Sequence, residues 1–113
     1  MMNNELYSAN LTNNTKLTYV ELGWNQISWV SLPSGVMITE LSLSNNNLSC
    51  INTDYLPNLK SLRLGENKTR HLSISENRKL FLLNVKSNPL NASTKQELKS
   101  KHAIYNFIFL KDL

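Results

Sequence analysis

Cysteine is nearly missing from this chain, with Cys50 the single one among 113 residues. One thiol excludes an internal disulfide framework and any multi-cysteine metal site. Long apolar runs are missing too: no stretch approaches the ~20 residues that a membrane-spanning helix needs. The opening segment, MMNNELYSANLTNN, has neither the basic end nor the apolar core of a secretory signal. With Met1 as the true start, the expected location is cytoplasmic. A concentrated run of charge of one sign is missing as well. The formal net charge is +4 with pI ≈ 9.3, but Lys and Arg are dispersed, apart from Lys95, Lys99 and Lys101. Nucleic-acid binding normally shows them clustered, so no nucleic-acid or membrane partner is expected and the charge serves solubility. The hydrophobic fraction of 41% and charged fraction of 18% are ordinary for a globular domain that buries one modest core.

Glycine and proline number only three each, whereas asparagine is abundant and regularly placed. Four segments align on it: LTYVELGWNQI from Leu17, ITELSLSNNNL from Ile38, LKSLRLGENKT from Leu59 and LFLLNVKSNPL from Leu80. Each starts 21 residues after the last, and repeats at such periods mark stacked architectures. The aliphatic columns are Leu17, Ile38, Leu59, Leu80, then Val20, Leu41, Leu62, Leu83, then Met1, Leu22, Leu43, Leu64, Val85. A further column reads Leu6, Ile27, Leu48, Thr69, Leu90, with Thr69 the one departure. The asparagine column reads Asn4, Asn25, Asn46, Asn67, Asn88.

The spacing has a physical cause. Val20 and Leu22 form an apolar-x-apolar pair, which a short strand points to one side. Stacked coils would pair these strands in parallel, about 4.8 Å apart, and bury the aliphatic ladder. The chain then turns inward, where an asparagine amide satisfies backbone groups that the turn leaves unpaired. The asparagine column is therefore expected to be buried and structural, forming a ladder from coil to coil.

This LxxLxLxxNxL pattern resembles the leucine-rich-repeat superfamily over Met1 to about Leu90. Two return segments echo the first half of the coil, in Leu6, Ala9, Leu11, Asn14 and in Thr69, Leu72, Ile74, Asn77. That doubling is similar to the short bacterial 21-residue class, sometimes called the IRREKO type. The middle coils depart from it, since Ile27, Val30, Leu32 lead to Gly35 and Leu48, Ile51 lead to Thr53 and Leu56. The resemblance implies an α/β fold: a right-handed solenoid with a short-stranded parallel sheet on its concave side. The convex side is expected to be mostly extended or tightly turned, because about ten return residues leave no room for a long helix and two turns.

Residues 1–90 are read as the solenoid, a half coil plus four repeats, and 91–113 as a C-terminal cap. Within that cap, Ser93 or Thr94 is expected to start a helix with Gln96 or Glu97 as capping-box partner. Lys99, Lys101 and His102 suit the C-terminal end of its dipole. The stretch Ala103 to Leu110 alternates Tyr105, Phe107, Phe109 with Ile104, Ile108, Leu110, and fits either a closing strand or a longer helix. At the other end the register begins inside a strand. A fragment, a late start or packing of that coil against a second copy each accounts for it, so self-association through the N-terminal coil is one expectation.

Chemistry-bearing patterns are sparse. No HExxH, paired-cysteine or phosphate-loop motif occurs, so no catalytic residue, metal or cofactor is expected. His71 falls on a return segment and His102 in the cap, as surface or packing residues. Cys50 is expected to be a small apolar filler. Sequons at Asn10, Asn13, Asn47, Asn67 and Asn91 are read as coincidences of an asparagine-rich repeat.

Leucine-rich repeats usually bind through the concave face, and its outward positions flank the strand aliphatics. Coil by coil they are Thr18, Tyr19, Glu21 and Trp24; Thr39, Glu40, Ser42 and Asn45; Lys60, Ser61, Arg63 and Glu66; and Phe81, Leu82, Asn84 and Lys86. Aromatics and arginine dominate interface energetics. The expected contact set is Tyr19, Glu21, Trp24, Glu40, Lys60, Arg63 and Phe81, serving non-catalytic binding of a protein partner. For Phe81 and Leu82, packing under the C-terminal segment is the competing role, and for Trp24 it is partial burial at the strand's end. The alternative for the whole chain is a truncated remnant with a structural role or no present activity.

Overall fold

A computed structural model describes residues 5–33, 37–105 and 108–110. The expectations placed on Met1, Asn4, Gly35, Phe107 and the side-chain alternation over 104–110 lie outside the described residues. The chain forms β1 (Ser8–Asn10), β2 (Tyr19–Glu21), β3 (Trp29–Ser31), β4 (Glu40–Ser42), β5 (Ser61–Arg63), β6 (Leu82–Asn84), α1 (Ala92–Tyr105) and β7 (Ile108–Leu110). The result is a parallel-strand solenoid of about four turns followed by one helix.

A strand of three residues has no independent stability, and only lateral pairing holds it. Here β2, β4, β5, β6 and β7 lie side by side in a five-stranded parallel sheet. Val20 faces Leu41, Leu41 faces Leu62 and Leu62 faces Leu83. Each step advances 21 residues, so the sequence period is the register of the sheet. A second, two-stranded sheet pairs β1 with β3, Ala9 opposite Val30, on the return half of the first coils. Between residues 5 and 91 the described return segments are extended or turned, with no helix.

The columns form one continuous core. Ile27, Leu43, Leu48, Leu59, Leu62, Leu64, Leu72, Leu83 and Leu98 are all fully buried. Thr69, the polar member of its column, is equally buried, and its hydroxyl donates to the Leu48 carbonyl at 3.2 Å. The preceding coil thus supplies the partner that a hydroxyl in an apolar core requires.

The asparagines act as clamps between coils. The Asn46 carbonyl oxygen accepts the Ile27 N–H at 3.0 Å, while its amide donates to the Leu22 and Leu43 carbonyls, both at 3.0 Å. Asn67 repeats this with Leu48 N–H at 3.0 Å, Leu43 at 2.8 Å and Leu64 at 3.0 Å. Asn88 does so with Thr69 N–H, Leu64 and Val85 at 3.0, 2.8 and 3.2 Å. The ladder therefore runs through the backbone: each side chain binds its own turn and the coil before it. Asn77 does the same on the return side, donating to the Thr53 and Leu56 carbonyls and accepting from the Thr53 hydroxyl.

The residue before each clamp is left-handed: Trp24, Asn45, Glu66 and Ser87 have φ of 58°, 60°, 57° and 58°. Carrying a side chain in this region costs an L-residue roughly 1–2 kcal/mol. Only Asn45 is of a type that visits it readily, so the clamp bonds hold the other corners against local preference.

Two expectations need correction. The helix is capped by Asn91, two residues before Ser93 and three before Thr94. The Asn91 carbonyl oxygen accepts the Thr94 N–H at 2.9 Å, and helix begins at Ala92. Thr94 is instead buried beside His71, Oγ1 to Nδ1 3.2 Å, and Glu97 accepts from the Ser73 hydroxyl at 3.1 Å instead of closing a capping box. Cys50 is exposed, because buried Leu48 and partly buried Ile51 take the inward positions on either side of it. The tail resolves its alternatives by using both: helix to Tyr105, then β7 paired in parallel with β6, Leu83 opposite Phe109.

Candidate functional site

Strand alternation sends Val20, Leu41, Leu62 and Leu83 into the core and leaves two columns on the opposite side of the sheet. In register, one column is Tyr19, Glu40, Ser61, Leu82 and the other Glu21, Ser42, Arg63, Asn84. Large and small residues are unevenly placed in them. Ser42 on β4 and Ser61 on β5 lie on adjacent interior strands and are buried among taller neighbours. Short side chains there leave a shallow depression of about 210 Å³, walled by Tyr19 and Glu21 from β2, Glu40 from β4, Arg63 from β5, and Phe81 and Leu82 at β6.

Five of the seven sequence-derived contact residues come together in this depression: Tyr19, Glu21, Glu40, Arg63 and Phe81. Trp24 and Lys60 do not line it. Trp24 occupies the left-handed corner after β2 and is 57% exposed. Lys60 is exposed just ahead of β5, where its carbonyl accepts the Phe81 N–H at 2.8 Å. Pairing of β7 with β6 does not cover Phe81, which stays 51% exposed. The floor residues Ser42 and Ser61 were placed on this face by the repeat but not marked as part of a site. The signal was there: two serines sit between an aromatic on one side and an aromatic–leucine pair on the other.

Glu21 is fixed by its own strand. Its Oε1 accepts the Gly23 N–H at 2.8 Å and its Oε2 accepts the Tyr19 hydroxyl at 3.4 Å. A Cβ on Gly23 would lie 2.9 Å from Glu21 Oε1 and 3.3 Å from the Ser44 carbonyl. The missing side chain is what admits the carboxylate. The Glu21 charge holds the Tyr19 proton above the usual tyrosine range, helped by partial desolvation, by their hydrogen bond and by Glu40, and opposed by Arg63. All three charged groups therefore act on one phenol.

A hydrogen-bonded carboxylate, an exposed carboxylate, a guanidinium and two half-exposed rings around a polar floor suit recognition of a polar or charged group. Among the described residues no cluster of three or more His, Cys, Asp or Glu could hold a metal ion, and no helix is long and apolar enough to cross a membrane. No protein-family model matches the chain, and no curated protein matches it either.

Proposed function

We propose that this chain is a leucine-rich-repeat module of the short 21-residue bacterial type that binds a protein partner, without catalysis, through the concave outer face of its parallel sheet. The observation that carries the reading is the depression over Ser42 and Ser61, with Tyr19 55% and Phe81 51% exposed at its two sides and Arg63 between them. A folded chain gains nothing in stability by leaving two rings half in water on a rigid sheet, while a partner that buries them gains apolar area and an arginine contact. The C-terminal helix and β7 close the last coil on this reading, covering the core end that a solenoid otherwise exposes.

The test is quantitative capture of partners from the source cells by the tagged chain. Tyr19→Ala, Arg63→Ala and Phe81→Ala should each weaken retention about ten-fold, the effect of losing roughly 1.4 kcal/mol at an interface anchor. Tyr55→Ala, at an exposed aromatic on the return side, should leave it unchanged. Retention insensitive to all three face variants contradicts the reading.

A further inference from the structure

The charges of the depression are unlike those of the whole chain. Glu21, Glu40 and Arg63 contribute two carboxylates and one guanidinium, so the site is locally acidic within a chain of formal net charge +4. The raised Tyr19 proton affinity has the same sign, since Glu21 and Glu40 together outweigh Arg63 at that hydroxyl. The two carboxylates differ in availability. Glu21 already accepts from Gly23 and Tyr19, whereas Glu40 stands exposed at the start of β4, in register with Tyr19 on one side and Ser61 on the other.

A cation placed against an aromatic face gains from the ring quadrupole, and more when a carboxylate is near. Rings flank the depression at β2 and β6, with Glu40 on a strand between them. An anion drawn by Arg63 would meet two like charges in the same small space, which costs affinity. The volume of about 210 Å³ is below the roughly 300–1,000 Å³ of small-molecule pockets and suits one side chain.

We infer that the depression seats a single arginine or lysine side chain of the protein partner, with Glu40 as its carboxylate and Tyr19 and Phe81 as its aromatic walls. This rests on the protein-binding reading of the same face and adds the chemistry of the residue recognised.

The probe is N-acetyl-arginine amide, titrated into the isotope-labelled full chain and followed by backbone amide shifts in NMR. N-acetyl-citrulline amide, its uncharged analogue of similar shape, and N-acetyl-aspartate amide are the comparators. The arginine probe should shift the amides of Glu40, Ser42 and Ser61, and citrulline should bind about ten-fold more weakly. Glu40→Gln, an exposed and near-isosteric change, should weaken arginine several-fold. Equal binding of citrulline, tighter binding of aspartate, or no shift with arginine overturns the inference. The two readings fail separately. Partner retention lost in Tyr19→Ala and Phe81→Ala, with no arginine seat, leaves the binding face standing and removes only the basic residue. A sound arginine seat with retention indifferent to those variants removes the binding face as the docking surface.

Discussion

Asn45, Asn46 and Asn47 are three consecutive identical residues with three different roles, and substituting them separately tests the clamp directly. Asn46 is buried and Asn47 exposed, while Asn45 holds the left-handed corner. In Asn46→Ala the carbonyls keep other donors: Leu22 still accepts from Asn25 at 3.0 Å and Leu43 from Asn67 at 2.8 Å. The Ser44 carbonyl keeps the Trp24 N–H at 2.9 Å. The Ile27 N–H, by contrast, loses the partner it has in Asn46. One buried orphan donor costs about 1–3 kcal/mol, and each shared bond lost adds roughly 0.5–1. The expected cost is about 3 kcal/mol, a large share of the ~5–15 kcal/mol that holds a domain together. Asn47→Ala should stay within about 0.5 kcal/mol, and Asn45→Gly should be neutral or stabilising, because glycine enters that region freely. Urea unfolding followed by tryptophan fluorescence measures all three, with Asn46→Ala lowering the folding equilibrium constant roughly a hundred-fold. Equal costs for Asn46→Ala and Asn47→Ala would refute the clamp.

Further expectations follow from other positions. Glu66→Gly should be more stable than Glu66→Ala by about 1 kcal/mol in the same assay, since φ at Glu66 is 57° and alanine keeps the Cβ penalty. Thr69→Val should cost less than about 1 kcal/mol, because the Leu48 carbonyl also accepts the Lys68 N–H at 2.9 Å; a larger loss would mean the hydroxyl bond matters beyond satisfying that oxygen. Tyr19 should ionise above the ordinary tyrosine value of 10.0, and Glu21→Gln should bring it down, read as tyrosinate absorbance against a Tyr19→Phe baseline. The sign for stability follows from the tighter proton in the folded state. The contribution is complete below the unfolded value and fades as pH rises through the folded one.

Much of the scaffold was legible because the 21-residue period reports which residues face inward. Val20, Leu41, Leu62 and Leu83 align in the sequence and then in the sheet. An asparagine in a turn between apolar strands has few roles besides bonding backbone, and Asn46, Asn67 and Asn88 fill that one. The period says nothing about backbone sign where no glycine marks it, so the left-handed corners at Trp24, Glu66 and Ser87 were invisible. Cys50 was misread because the return half lacks strict periodicity, and a small apolar residue there fits either side. Asn91 was passed over as the cap because it was read only as a coincidental sequon, although asparagine caps a helix as well as serine does. On the outer face, pattern alone identified the large residues, whereas the depression depends on how short Ser42 and Ser61 are beside them. Relief of that kind comes from stacking adjacent coils, not from any one coil's sequence.

The central claim is that coil stacks on coil with a step of 21 residues, since the core, the clamps and the outer face all depend on it. Methyl–methyl NOEs test it most directly. Contacts linking Leu41 with Leu62, and Leu62 with Leu83, are expected at parallel-strand spacing of about 5 Å. Absence of contacts between these three leucines at that spacing would contradict the account.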